Sequence, residues 1–257
     1  MTTLYAPTPA PMTVPPPLAR LVWIELRKAV DTRSGRWLLV LIGLIAVASA
    51  VLTGDTGSAR NHNLPHVLGD TSQLVAILLP VLGILLVTSE WSQHTALTTF
   101  TLVPRRLRII AAKATGGALL AAAIAVVCVA VSTTVLVAAD HGQPGPWQDA
   151  GLAIAYSFVF QILNLLLGVA FGVLFRSSPV AVVAYFVIPT ASSILTGTVH
   201  TLTPAGRWLD PSTVWNHLAG GTMTATTWAQ VAATAAVWIA LPGLAGGWHI
   251  LHRPVNA

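Results

Sequence analysis

Apolar positions along the chain fall into six long runs, at about Trp37–Thr53, Ser72–Ser89, Ala114–Ala139, Ala150–Phe175, Pro179–Val199 and Trp228–Leu251. Each is close to the roughly 20 residues a helix needs to cross the hydrocarbon core of a bilayer, so six transmembrane helices are predicted. Pro80, with Gly83 nearby, interrupts the second run and Pro189 the fifth. Such prolines are tolerated where neighbouring helices re-satisfy the backbone, and read as kinks or hinges. Ahead of the first run the pattern changes. Leu18, Leu21, Val22, Leu26, Ala29 and Val30 recur at helical spacing, while Arg20, Glu25, Arg27, Lys28, Asp31 and Arg33 take the other face. That pattern predicts an amphipathic helix over 18–35, lying at the membrane interface with Trp23 and Trp37 at headgroup level. The alternative is an ordinary amphipathic helix packed on other protein. Residues 1–17 hold six prolines and almost no charge, so they read as an extended tail rather than a secretory signal.

Composition removes the soluble alternatives. The 257 residues are 54% hydrophobic and only 8% charged, against roughly a quarter charged in soluble domains, and the mean hydropathy is +0.74. The single cysteine, Cys128, lies inside an apolar run, which excludes a disulfide framework and a cysteine-based zinc or redox site. The net charge of +5 would point to nucleic acid in a soluble chain. Here the placement of the charges matters more than their sum.

Lysine and arginine are split eleven to two between alternate connections. Arg20, Arg27, Lys28, Arg33, Arg36, Arg105, Arg106, Arg108, Lys113, Arg176 and Arg253 fall on one side, and only Arg60 and Arg207 on the other. By the positive-inside rule both termini face the cytoplasm. The expected fold is therefore an all-α polytopic membrane protein. It has a tail at 1–17 and a single transmembrane domain at 18–257, made of the interfacial helix and six spans.

Candidate chemistry is sparse. Neither lysine, Lys28 nor Lys113, ends a phosphate-cradling glycine loop. All eight acidic residues fall in connections or at the expected helix ends, whereas an ion-driven carrier places ionisable groups near mid-membrane. His62 and His66 have metal-ligand spacing but sit in a loop broken by Pro65, with no further ligand in the pattern. No metal site, catalytic residue or resident cofactor is expected, so the chain is not expected to be an enzyme. Within the spans, polar residues concentrate in the fourth, where Ser157, Gln161 and Asn164 share a face with Gly168, and Gly168 and Gly172 form a small-xxx-small pair. That face points into protein, either as helix packing or as the lining of a translocation path.

The longest cytoplasmic connection runs from Glu90 through Thr95, Thr98 and Thr99 to Pro104, Arg105, Arg106, Arg108 and Lys113. By itself this reads as a short helix, a turn at Pro104 and a basic start to the third span, the cations setting topology and meeting anionic lipid. An amphipathic lead-in with Glu25, Arg27 and Lys28, an acidic Glu90 closing the second span, a threonine-rich stretch, then Pro104-Arg105-Arg106 opening the third resembles the membrane subunits of ABC-2 type transporters. The likeness is to the six-helix permeases of actinobacteria, with a type V exporter-like fold, and it extends in order and spacing over the whole chain. His94 stands where that family often has glycine.

The resemblance implies a permease half in the bacterial plasma membrane that pairs with a separate ATPase subunit, which carries ATP and Mg²⁺, and with a second permease copy, identical or different. It places an ATPase-contacting coupling helix in 90–108, with Glu90, Thr95, Pro104, Arg105 and Arg106 at the interface and the lead-in helix beside it. A smaller contact falls near Arg176. It also gives the external segment 200–227 a part in closing an outer gate, where the residues alone allow an aromatic-anchored loop equally well. The substrate of such an exporter would be amphipathic or lipid-like, since the spans offer few charges. The competing readings are a non-transporting membrane anchor or sensor subunit, and, further off, an ion-driven carrier or membrane enzyme.

Overall fold

The computed structural model describes residues 17–56, 63–92, 106–139, 146–221 and 223–252, and every regular element among them is helical. Helix α1 covers Leu18–Asp31, α2 Arg33–Thr56, α3 Leu64–Ser92, α4 Arg106–Ala138, α5 Ala150–Phe175 and α6 Ser178–Thr198. After a single 3₁₀ turn come the short helices α7, Thr203–Leu209, and α8, Pro211–Ala219. The last span is α9, Ala225–Ala235, a π-helical turn at Ala236–Ala240, and α10, Leu241–His252. Six of these stretches are long and apolar enough to cross a membrane.

Each boundary has a local cause. Thr32 breaks α1 from α2: its backbone is extended, and its Oγ1 accepts the Gly35 N–H at 3.2 Å, capping α2. The turn is tight enough that a Cβ on Gly35 would run into the Ala29 carbonyl. Helix α3 opens at Leu64, earlier than the expected Ser72, because the Asn63 side chain accepts the His66 N–H at 3.0 Å and starts the helix. Polar His66 and Asp70 hide that first turn from a hydropathy reading. Helix α4 likewise opens at Arg106 rather than near Ala114; arginine and lysine lower hydropathy but are good helix formers. Thr224 and Thr227 close a reciprocal capping box that starts the last span at Ala225.

Helices α3 and α5 form the centre. Over an apolar stretch of 18 residues in each, 67% and 61% are buried inside the chain, against 6% for α6, which lies at the periphery. Their crossing is built on glycine. A Cβ on Gly168 would strike the Pro80 carbonyl, one on Gly83 would strike the Leu165 carbonyl, and one on Gly172 would lie 3.1 Å from Val87 Cβ. The two backbones therefore meet with no side chain between them, as small residues allow in membrane helices. On one side of this pair, Ile42, Ala46, Leu79, Ile124 and Cys128 join α2 and α4 to the core. On the other, Phe171, Ala181, Val214, Leu218 and Trp238 bring in α6, α8 and the last span.

Two ends can be told apart. The basic end carries α1, the start of α4 and Arg176. The opposite end holds the starts of α3 and α5 and the α7–α8 segment; there Leu64 N–H donates to the Pro146 carbonyl at 2.9 Å, and Gly69 approaches the Ala219 carbonyl.

Candidate functional site: a buried ion pair at the basic end and a polar groove

At the basic end, α1 is fastened to the bundle by charge. Glu25, expected on the polar face, is 5% exposed and Lys113 equally so. Lys113 Nζ lies 2.8 Å from Glu25 Oε2 and donates to the Leu86 carbonyl near the end of α3 at 3.3 Å, while Lys28 Nζ reaches Glu25 Oε1 at 3.2 Å. One carboxylate thus joins the lead-in helix to the third span, and the third span's cation touches the second. Glu25 shares a stripe with Val22 and Ala29, the other two buried residues of α1. That i−3, i+4 spacing was visible in the sequence and is the signal that the carboxylate points inward. The packing is close, with Gly116 of α4 so near that a Cβ there would sit 3.3 Å from Glu25 Cβ. Arg27 instead pairs with Asp31 at 3.2 Å in the open, where such a pair is worth at most about 1 kcal/mol.

The expected place of Glu25 on the polar face of the lead-in helix needs correction, because Glu25 and Lys113 form a buried pair. The pair sits at the helix ends, and among the described residues no Asp, Glu, Lys or Arg occupies the middle third of any candidate span. Of the residues expected at the ATPase contact, Glu90 falls in the last turn of α3 and Arg106 opens α4. Thr95, Pro104 and Arg105 lie outside the described residues.

The polar face of the fourth span divides in two. Ser157 and Gln161 are buried in helix packing: Ser157 Oγ is 3.1 Å from Ser72 Oγ, and Gln161 Nε2 donates to the Ser72 carbonyl at 3.4 Å and lies 3.8 Å from Cys128 Sγ. Thr71 and Ser132 continue this seam at 3.4 Å. Asn164 lies one turn further on. Its Nδ2 donates to the Phe160 carbonyl at 2.9 Å, and it lines a groove of about 470 Å³ between α3, α5, α6 and α8. Aromatic Phe160, Tyr185 and Trp215 share the groove wall with uncharged polar Gln73, Thr190 and Ser193. An apolar, aromatic concavity with a few convergent polar groups is the general form of a ligand site.

Helix α8 forms one wall of the groove, and side-chain hydrogen bonds fasten it to α6. Asp210 caps α8: it accepts from Ser212 N–H at 3.0 Å, Ser212 Oγ at 2.8 Å, Thr213 Oγ1 at 2.7 Å and Ser193 Oγ of α6 at 2.7 Å. Burial pushes its carboxyl up, but these donated hydrogen bonds outweigh it and hold it below the usual carboxylate value. The stabilisation is therefore complete above the ordinary carboxylate value of about 3.9 and is lost as pH falls through the lower folded value. Asp210→Ala should cost about 1–2 kcal/mol, seen as a lower unfolding temperature at pH 7, and the difference from wild type should close in strong acid. The last span completes the clasp. Thr234 Oγ1 donates to the Trp208 carbonyl at 2.8 Å and Trp238 Nε1 to the Leu209 carbonyl at 2.6 Å. Trp238 sits in the π-helical turn and stacks on Phe171 with ring centroids 6.4 Å apart. Nothing in the hydrophobic pattern announced that turn, since a π bulge leaves the run of apolar residues unbroken.

The other sequence candidates have structural partners. His66 Nδ1 lies 3.6 Å from Asp70 Oδ2, which also accepts from Thr53 Oγ1 at 3.4 Å. His62 lies outside the described residues, and among those described no group of three or more His, Cys, Asp or Glu is placed to hold a metal.

Six helices of spanning length, two of them a glycine-packed central pair, define a multi-pass helical membrane protein. Compared with known proteins, the chain matches no family model and no curated sequence.

Proposed function

We propose that this chain is the membrane-spanning permease subunit of an ABC-2 type exporter, moving an amphipathic or lipid-like substrate with energy from a separate ATPase subunit. The observation that carries the reading is the buried Glu25–Lys113 pair with its link to Leu86. It makes the lead-in helix, the end of the second span and the start of the third one mechanical unit, flanking the 90–108 segment where the ATPase contact is expected. A push on that segment is then delivered to α3, and through the glycine crossing to α5, which walls the groove. That no Asp, Glu, Lys or Arg lies mid-span among the described residues also fits a motor outside the chain.

In this scheme both termini and the basic end face the cytoplasm, and ATP with Mg²⁺ is bound and hydrolysed on the partner. The permease pairs with a second copy, and ATP-driven closure of the ATPases shifts the helices between two discrete packings. A non-transporting anchor would share the fold but have no use for the groove, whereas a sensor would fill the groove without an ATPase partner. Placing a photo-crosslinking residue at Thr95 and, as a control, at Trp147 of the opposite end separates the readings in the native membrane. The permease reading expects capture of a nucleotide-binding protein from Thr95 alone. Capture from neither position would contradict it.

A further inference from the structure

Helix α1 presents more than the stripe that packs on the bundle. Ala19, Trp23, Leu26 and Val30 recur at i, i+4, i+7 and i+11 and so share a neighbouring flank; Leu26 is half-buried, the other three are exposed, and Trp23 is 65% exposed. Arg20, Ile24, Arg27 and Asp31 form the next line round the helix, all of them exposed. After the break at Thr32, Arg33 and Arg36 open α2 and are exposed too, with Arg36 Nη2 donating to the Asp31 carbonyl at 2.9 Å. From there an uncovered apolar stripe, Trp37, Val40, Leu41 and Leu44, runs along α2, with Trp37 74% exposed.

Acid is withdrawn from this surface. Of the two carboxylates of α1, Glu25 turns inward to Lys113 and Lys28, and Asp31 is paired with Arg27 at 3.2 Å. Four arginines therefore face outward against one carboxylate, beside an apolar flank and stripe left open by the bundle. A bilayer supplies the matching chemistry: apolar chains for Trp23, Val30 and Trp37 at the depth tryptophan favours, and phosphate for arginine, whose planar fork takes it bidentately. We infer that the outer side of α1 and the start of α2 form a binding site for anionic phospholipid, with its phosphate among Arg20, Arg27, Arg33 and Arg36 and its acyl chains against Trp23, Val30 and the α2 stripe. A zwitterionic lipid offers the same chains but no net charge for the arginines to meet. The inner stripe of α1 is tied to Lys113, which also holds the Leu86 carbonyl. Lipid outside and the ion pair inside thus hold the helix from both sides, and the composition of the membrane bears on the whole basic end. The inference does not depend on the permease reading.

The test reads lipid at one place on the full chain. The buried Cys128 is removed by Cys128→Ala, a bimane label is attached through Val30→Cys on the flank, and the protein is reconstituted into phosphatidylcholine vesicles. Phosphatidylglycerol or phosphatidylcholine carrying a nitroxide near the headgroup end of one chain is then titrated in, and quenching reports lipid exchange at the label. Phosphatidylglycerol should exchange onto the site at least about fivefold more favourably, the worth of roughly one arginine beside anionic lipid, and the preference should shrink with added salt. Arg20→Gln, Arg27→Gln, Arg33→Gln and Arg36→Gln together should bring the ratio to about one, while lysine at the same four positions, which keeps the charge, should preserve most of it. The same label attached through Trp147→Cys, at the opposite end, should show no preference. Equal exchange of the two lipids at position 30 overturns the inference. So does a preference that appears equally at position 147, or one that survives in the glutamine variant, whose monodispersity in size exclusion shows that it is folded.

Discussion

Glu25→Leu should destabilise the folded chain by about 3–5 kcal/mol, the cost of removing one member of a buried ion pair. The substitution takes from Lys113 its 2.8 Å partner and from Lys28 its 3.2 Å partner, while Lys113, 5% exposed, cannot swing out to water without unpacking α1. Adding Lys113→Met should restore most of the loss, because a pair replaced by apolar residues of similar size is often neutral. Thermal unfolding of the four members of this cycle in one detergent reads the result. Additive losses would show that the two residues act separately, and the mechanical unit proposed for the basic end would fall. Lys28→Ala is the internal control. Its side chain is 42% exposed, so its loss should be about 1 kcal/mol or less.

Gly168→Leu should cost roughly 3 kcal/mol, at the upper end of what overpacking does. The group in the way is the Pro80 carbonyl, which belongs to a helix backbone and cannot rotate aside as a side chain would. Helices α3 and α5 would have to part along the length they share, opening the contacts of Gly83 and Gly172 as well. Gly43→Ala and Gly151→Ala provide the contrast, since a Cβ at either position meets nothing within 4 Å. There the better helix propensity of alanine should stabilise by about 0.5–1 kcal/mol. Expression of monodisperse protein and its unfolding temperature measure all three. A tolerated Gly168→Leu beside a damaging Gly43→Ala would invalidate the central packing described here.

Long apolar runs are what a bilayer demands, so the six spans were legible from the chain alone. Their ends were less so, and for a common reason. Helix starts are made by polar residues, such as Asn63 capping α3 or Arg106 opening α4, which a hydropathy reading assigns to the connections. The lead-in helix was legible as a helix, but the direction of Glu25 was not read. A carboxylate among Arg27, Lys28 and Asp31 looks like part of the wet face until its stripe with Val22 and Ala29 is given weight. Its partner Lys113 is 88 residues away, and pairings at that distance leave no local signal. The same limit explains the fourth span. Ser157, Gln161 and Asn164 share a face by spacing, but which of them meets packed helix and which meets open space depends on Ser72, Cys128 and Trp215. The groove itself, whose walls come from four helices far apart in sequence, could not be anticipated.

We propose that the energy for this chain's movement comes from a partner. The most direct measurement is to purify the full chain from its own membrane in mild detergent, assay ATP hydrolysis and identify the co-purifying proteins by mass spectrometry. The account predicts an ATP-hydrolysing subunit in fixed ratio to the chain, lost on changing Arg105 and Arg106 to glutamate while the chain itself stays monodisperse. A stable, intact chain that purifies without ATP hydrolysis would contradict it, and the anchor or sensor reading would take its place.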